Sequence, residues 1–493
     1  KETWDFIIKD LDDAIALLTE TISSRDYAAN KYVALALQSR VALWAASESK
    51  YWDSRSLKPY GSTAVDHELT LMKPEYANAY YQKCIEASAA IINSGKYSLY
   101  GFSGAPLDPA SAKKALTDLF QTIQPGEYIF GKNYKNGVAS SDNGTESWAP
   151  FQASPAGWTK GTRPITLNMV DQFADRAADG STIKGKVKTR ISGDEEYALE
   201  DPYNKTETVK AIEADLIRYN SIDEPFLNKD ARFQAWVAYP NSVFRGKTMT
   251  MQAGMITPDG TIIVVPNAKE SKEQAEGVAG PDGKLYYPFG SNSQAVSDYS
   301  AFYWIVNDSN QTNAYEYCFG TIKFVDQAQQ ATYTTSPWYD MRYAEVLLNY
   351  AEAVAESGLG DKTLASKCLN DVHMRAGFKG DLELTVDNVL DEVKCEFMAE
   401  DKWQSVLQRR RAYYSIDKTP EENKLEGTIG KKMTLLPMVD LSGDEVKYVF
   451  PRALPYYSNS SKAGTMNIQF EDKNYYGSVT NYVNNKIENN NTK

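Results

Sequence analysis

The sequence predicts a mainly α-helical fold: degenerate helical hairpins of the tetratricopeptide type from both ends of the chain, with a large loop-rich middle region that contains short strands. Two observations predict it. Apolar residues recur every three to four positions over the first hundred residues and again after Trp338, the spacing that gives a helix one apolar stripe. Between about Tyr97 and Ser336 that periodicity fades, while Gly, Pro, Asn and Ser multiply. The expected organisation is helical hairpins over 1–96, a loop-rich ligand-binding region over 97–336, further helices over 337–416, and a turn-rich tail over 417–493 packed on the same domain.

The elements follow in order. In ETWDFIIKDLDDAIALL, residues Trp4, Ile8, Leu11, Ile15 and Leu18 make one stripe, with Asp5, Lys9, Asp12 and Asp13 off it. A second helix is expected from Lys31 to Ser49, with Ala wherever a neighbour could pack closely. A third runs from Pro74, a good first-turn residue, to Asn93, and Ser94-Gly95 supplies the stop. Such pairs suggest stacked hairpins, although their spacing is too irregular for a regular repeat of ~34 residues.

In the middle, short helices are expected at Thr166 to Phe173 and Val209 to Arg218. Strand-like runs occur at Glu127 to Phe130, Phe233 to Val237, Thr261 to Val265 and Tyr317 to Val325, and DGT at 259–261 and PDGK at 281–284 read as turns. Loops this long inside a compact domain carry function or are disordered, and the many aromatics argue against disorder. Helices return from Trp338 to Glu356, from Lys362 to Ala376, and in one piece from Val386 into Ala412. The tail adds a strand-like KYVFP at 447–451.

Composition removes several function classes. The net charge is -12 and acids and bases are mixed, so the basic face of a nucleic-acid binder is missing. The one dense basic run, Arg409-Arg410-Arg411, reads as the solvated end of a helix rather than a phosphate site. No stretch reaches the ~18 apolar residues of a membrane span. Cys84, Cys318, Cys368 and Cys395 are scattered, and His67 and His373 are the only histidines, so no zinc site is expected. No cofactor is indicated, and carboxylate-rich calcium sites stay open. Nucleophile elbow, phosphate loop and HExxH are all missing. Helix acids such as Glu345 and Glu352 read as partners for Arg and backbone, and no enzymatic activity is expected. Tyr outnumbers Phe 33 to 17, a surplus that suits wet binding surfaces better than a dry core.

Several blocks carry a resemblance. YDMRYAEVLLNYAEAVAESG at 339–358 sets Arg342, Ala344 and Glu345 ahead of Leu348, Asn349, Tyr350, Ala351, Glu352 and Ala353. LNDVHMRAGF follows at 369–378 and VKCEFMAEDKWQSVLQRRRAY at 393–413. DLDDAIALL at 10–18 and YVALALQSRVALW at 32–44 precede them, with TLNMVDQFADRAADG at 166–180 and DARFQAWVAYP at 230–240 between. In this order the blocks resemble the SusD/RagB family of outer-membrane nutrient-binding lipoproteins. The chain departs from the family pattern at Lys394-Cys395-Glu396, where Glu-Arg is usual, and at His373, where Arg is expected.

The resemblance implies a SusD-like α-α superhelix and a lipid-anchored protein on the surface of a Gram-negative outer membrane. Such a protein delivers glycan to a SusC-like TonB-dependent transporter. The family's lipobox cysteine and first helices would lie before Lys1, leaving that anchor as the only membrane contact. RagB-like capture of oligopeptides and a tetratricopeptide-type protein scaffold are the alternatives.

The family holds glycan mainly by stacking sugar rings on aromatics. A pyranose packs its C–H face on an indole or phenol ring and turns its hydroxyl edge to Asn, Asp, Gln or Arg. The favoured candidates lie in AFYWIVNDSNQTN at 301–313: Tyr303 and Trp304, followed by Asn307, Asp308 and Asn310. Against this, Phe302, Trp304 and Val306 would also suit the inward face of a strand. A second candidate is SWAPFQASPAGWTKGTR at 147–163, with Trp148 and Trp158, although single aromatics in such loops often pin them to the core. Trp4, Trp44, Trp338 and Trp403 lie on helical stripes and are expected in the core.

Overall fold

A computed structural model describes residues 1–21, 28–52, 72–134, 144–150, 153, 164–195, 213–264, 277–287, 303–306, 314–328, 334–410, 433–453 and 456–457. Among these, residues 1–133 and 337–410 form one compact unit, and 134–336 and 433–457 form another. Residues 97–133, assigned above to the loop-rich region, thus sit with the helices, and the described part of the tail sits with the middle.

The first unit is helical. Helices α1 (Glu2–Leu17), α2 (Lys31–Tyr51), α3 (Ala77–Asn93) and α4 (Pro109–Leu119) come before a strand at Tyr128–Lys132. After a second strand at Trp338–Arg342 come α5 (Tyr343–Ser357), α6 (Lys362–Arg375), α7 (Val386–Glu396) and α8 (Lys402–Arg409). Starts are capped as their sequences require. Asn30 accepts from the amides of Tyr32 and Val33, Asp108 from Ala110 and Ser111, and Asp361 from Thr363 and Leu364. Helix α5 ends at Gly358, whose φ of 72° lies where a side chain would be strained.

Alanine makes close packing possible. Ala42, Ala45 and Ala46 of α2 have no exposed surface, and the Ser39 and Ser88 hydroxyls meet at 2.7 Å across α2 and α3. Helix α5 packs on α3 and on α6, so the core runs from Leu43 and Ile91 to Leu348 and Leu369. All four tryptophans expected in the core are half-buried, and of them Trp4 and Trp403 pack against the core cluster.

Three expectations change in this unit. Trp338–Arg342 is a strand, paired antiparallel with Tyr128–Lys132, so α5 begins only at Tyr343. The long helix expected from Val386 breaks at Phe397–Asp401, where Ala399 and Asp401 take φ of 62° and 61°. The Arg409-Arg410 pair is not solvated. Arg409 is buried with both terminal nitrogens 2.6 Å from the Glu352 carboxylate, and Arg410 pairs with Glu356. Arg411 lies outside the described residues.

The second unit is built from short strands. Strands 447–449, 438–440, 254–256 and 262–264 form a four-stranded sheet in which only 438–440 and 254–256 run parallel. Phe319–Thr321 joins Pro164–Ile165 to Val237–Ala238. Beside it Phe226, Phe233, Tyr239 and Phe319 stack edge and face with centroids 5.0 to 6.2 Å apart. Both expected turns close hairpins, between Gly254–Ile256 and Ile262–Val264 and between Val278–Ala279 and Leu285–Tyr286. Phe233 differs from expectation: Asp230 caps a short helix at Ala231–Trp236, and the strand starts only at Val237. The helix expected at Val209 to Arg218 is, in its described part, one 3₁₀ turn at Glu213–Asp215. Arg452 ties the tail down, reaching Asp171 at 2.8 and 3.0 Å and Glu195 at 3.2 Å.

Candidate functional site

The favoured sequence candidates fall in a small sheet of the second unit. YWIV at 303–306 is rich in aromatic and β-branched residues and forms a strand, as such runs do. It pairs antiparallel with Ala314–Tyr317, and that strand pairs with Tyr456–Tyr457. Six of the ten positions in these strands are Tyr or Trp.

Register sorts them. Tyr303 faces Tyr317 across the ladder, Trp304 faces Glu316, and Ile305 faces Tyr315, which in turn faces Tyr457. Along the ladder, Tyr303, Tyr315, Tyr317 and Tyr457 thus occupy one set of alternate register positions, and Trp304, Glu316 and Tyr456 the other. Tyr303 and Trp304 therefore hold adjacent, alternating positions in the register. Asn307, Asp308, Asn310 and Trp158 lie outside the described residues.

Trp148 is half-buried on a 3₁₀ turn, edge-on to Phe324 at 6.0 Å and packed against the cluster holding Phe244 and Met249. The turn is held beneath it by Arg245, which grips both oxygens of Glu146 at 2.7 Å.

Sequence reasoning missed Tyr315, Tyr317, Tyr456 and Tyr457. The signal for the first pair was the alternation in AYEY, seven residues after YWIV in the sequence. Tyr456 and Tyr457 sit some way along a tail that reads as turns, so nothing local announces their partner strand.

The helical unit presents a different chemistry. Its acids are ion-pair partners, as expected for Glu345 and Glu352. Arg40 donates to Glu345 at 2.5 and 2.8 Å, and Lys402 stands 3.4 Å from the same carboxylate. Burial alone would raise the Glu345 pKa, but Lys402 and Arg40 hold it down to about 2. Deeper in, Arg342 and Arg375 gather Glu127, Glu396 and Glu400, all buried. His373 stacks on Phe378 at 4.6 Å with Nδ1 2.8 Å from Glu392, a packing role for the residue that departs from the family pattern. Among the described residues no cluster suits a metal ion, and no helix is long and apolar enough to cross a membrane.

Solved structures similar to the chain include BT4246, at 17% identity over 88% of this chain and 67% of that one, with a TM-score of 0.51. A SusD-like protein from Bacteroides fragilis NCTC 9343 matches at 17% identity over 92% of this chain and 65% of its own, with a TM-score of 0.49. Surface glycan-binding protein A from Bacteroides thetaiotaomicron, in complex with laminarihexaose, matches at 17% identity over 83% and 62%, with a TM-score of 0.34. The chain thus spans about two thirds of the length of these proteins, and the likeness to BT4246 shows a shared fold. No curated protein matches it. The model of the SusD family matches residues 126–492, most of the chain. The chain belongs to the SusD family.

Proposed function

We propose that this protein captures glycan at the outer surface of a Gram-negative outer membrane and passes it to a SusC-like TonB-dependent transporter, without enzymatic activity of its own. Its membrane attachment would be a lipid anchor. The observation that carries the glycan part is the aromatic sheet, six of whose ten positions are Tyr or Trp, in a chain of the SusD family. Aromatic faces bind the C–H face of a pyranose without burying it, which suits weak capture of a long polymer. Asn307, Asp308 and Asn310 would meet hydroxyl edges, and Trp148 and Trp158 are secondary candidates.

The test is affinity electrophoresis against a polysaccharide panel, backed by calorimetry, with Trp304→Ala and Tyr303→Ala measured separately. The alternating register positions predict unequal effects: one of the two substitutions weakens retardation by about tenfold, the loss of one good ring contact, and the other much less. No retardation by any polysaccharide, with binding of oligopeptides instead, would overturn the glycan reading. The partnership is tested by whether a TonB-dependent barrel co-purifies with the protein from detergent-solubilised outer membrane.

A further inference from the structure

Apart from the aromatic sheet, the helical unit carries a cleft of about 270 Å³ between α2, the 338–342 strand, α5 and α8. It is smaller than the ~300–1,000 Å³ of sites that take drug-sized ligands, leaving room for one ring. Trp44 and Trp338 line it and are both half-buried, so indole surface is open to an occupant.

The polar lining divides into spent and unspent groups. Glu345 is spent on Arg40 and Lys402, and Glu352 on Arg409. Among the described residues the Ser405 hydroxyl makes no hydrogen bond, and Asn349 donates to Ser39 through Nδ2 while its Oδ1 accepts nothing. The Asp340 carboxylate, 40% exposed, has only long contacts, 3.5 Å to Arg40 and 3.8 Å to Lys402, while the Asp340 carbonyl accepts from both cations at 2.6 Å. Asp401 is exposed and has no ion pair among the described residues.

These groups select the ligand by charge. A cation would sit in the field of Arg40 and Lys402, which already face the Asp340 carboxylate. An anion would meet Asp340, Glu345 and Asp401. A neutral ring bearing hydroxyls avoids both penalties: its O–H groups donate to Asp340, Asn349 Oδ1 and Ser405, and its C–H face lies on indole. We propose that this cleft is a second binding site, for a single neutral hydroxylated ring of pyranose or cyclitol size. It is independent of the aromatic sheet and does not rest on the glycan reading of it.

The experiment is saturation-transfer NMR on the full chain. The probes are methyl α- and β-glucoside, N-acetylglucosamine and myo-inositol, with cyclohexylamine and cyclohexanecarboxylate as charged rings. At least one neutral probe should receive saturation. That signal should weaken by about tenfold in Asp340→Ala, the loss of one charge-assisted hydrogen bond, and vanish in Ser405→Trp, which fills the cleft. Thermal melts check that each variant is folded, and Asp340→Ala, a truncation at the mouth, decides the matter if Ser405→Trp is not. Failure of every neutral ring, preference for a charged ring, or a signal that survives in both variants overturns the proposal. So does a signal lost in Trp304→Ala instead, which would place the contact in the sheet.

Discussion

Arg342 and Glu400 meet through two parallel hydrogen bonds, Nε to Oε2 at 2.9 Å and the second guanidinium nitrogen to Oε1 at 2.8 Å, with both side chains buried. Around this fork lie Glu127, Glu396 and Arg375, so two guanidinium groups serve three carboxylates. The group joins the start of α5 to the end of α6, the end of α7 and the Tyr128–Lys132 strand. Taking Arg342 away strips these carboxylates of one of their cations where water cannot replace it. Arg342→Met should destabilise the protein by ~3–5 kcal/mol, read as a lower denaturant midpoint. Combined with Glu400→Gln, the loss should fall short of the sum of the single losses by about 1 kcal/mol or more. Strict additivity would mean that the fork contributes nothing as a pair.

Acid should loosen the same unit through Glu345. Its folded pKa, about 2, lies below the ordinary glutamate value because Arg40 and Lys402 favour the charged form over the opposing effect of burial. A depressed carboxylate pKa contributes stability that is present above the unfolded value and is lost as pH falls through the folded one. The contribution is about 3 kcal/mol and fades between about pH 4.5 and 2. Glu345→Gln lacks it at every pH. The stability gap between wild type and Glu345→Gln, measured by urea titration, should therefore narrow steadily from pH 5 to pH 3. A constant gap would contradict the assignment.

Two glycines separate contact from conformation. A Cβ at Gly254 would stand 2.1 Å from the carbonyl oxygen of Ile263 on the neighbouring strand, and backbone cannot step aside as a side chain can. A Cβ at Gly260, in the hairpin turn, would meet nothing within 4 Å, but its φ is +78°. Gly260→Ala should cost about 1–2 kcal/mol, the strain of a left-handed L-residue. Gly254→Ala should cost more, since it forces apart the strands that build the four-stranded sheet. The order of the two melting temperatures is the check.

The residues that carry the family resemblance are largely those of the buried ion pairs: Arg342, Glu345, Glu352, Arg375, Glu396 and Arg409. Their identity is legible because they recur in ordered blocks. Their role is not, because a charged residue read alone suits a solvated face, which is how Arg409 is misjudged. Helical spacing, Ala-rich composition and end signals located α2, α3, α5 and α6, although α2 and α5 are buried on most sides rather than along one stripe. Helical spacing failed at Trp338–Arg342, where a strand runs straight into a helix and both bury aromatic residues. It failed again at the aromatic sheet, whose third strand lies well over a hundred residues from the second. Long-range pairing leaves no local trace.

The break between α7 and α8 offers a test by sign. No Pro or Gly lies in Phe397 to Asp401, so local propensity favours one continuous helix. Pairing wins instead: Glu396 and Glu400 turn to Arg342, and α8 carries Arg409 to Glu352. The turn requires φ of 62° at Ala399, which is exposed, so substitution there changes conformation without changing burial. In a continuous helix Ala399→Gly would destabilise by about 1 kcal/mol. In the left-handed region it removes a strain of about 1–2 kcal/mol, against the entropy that glycine adds to the unfolded chain, ~0.5–1 kcal/mol. Ala399→Gly should therefore leave stability unchanged or raise it slightly, whereas Ala399→Val, branched at Cβ, should lower it by more than 1 kcal/mol. A destabilised Gly variant beside a neutral Val variant would show that the helix runs through.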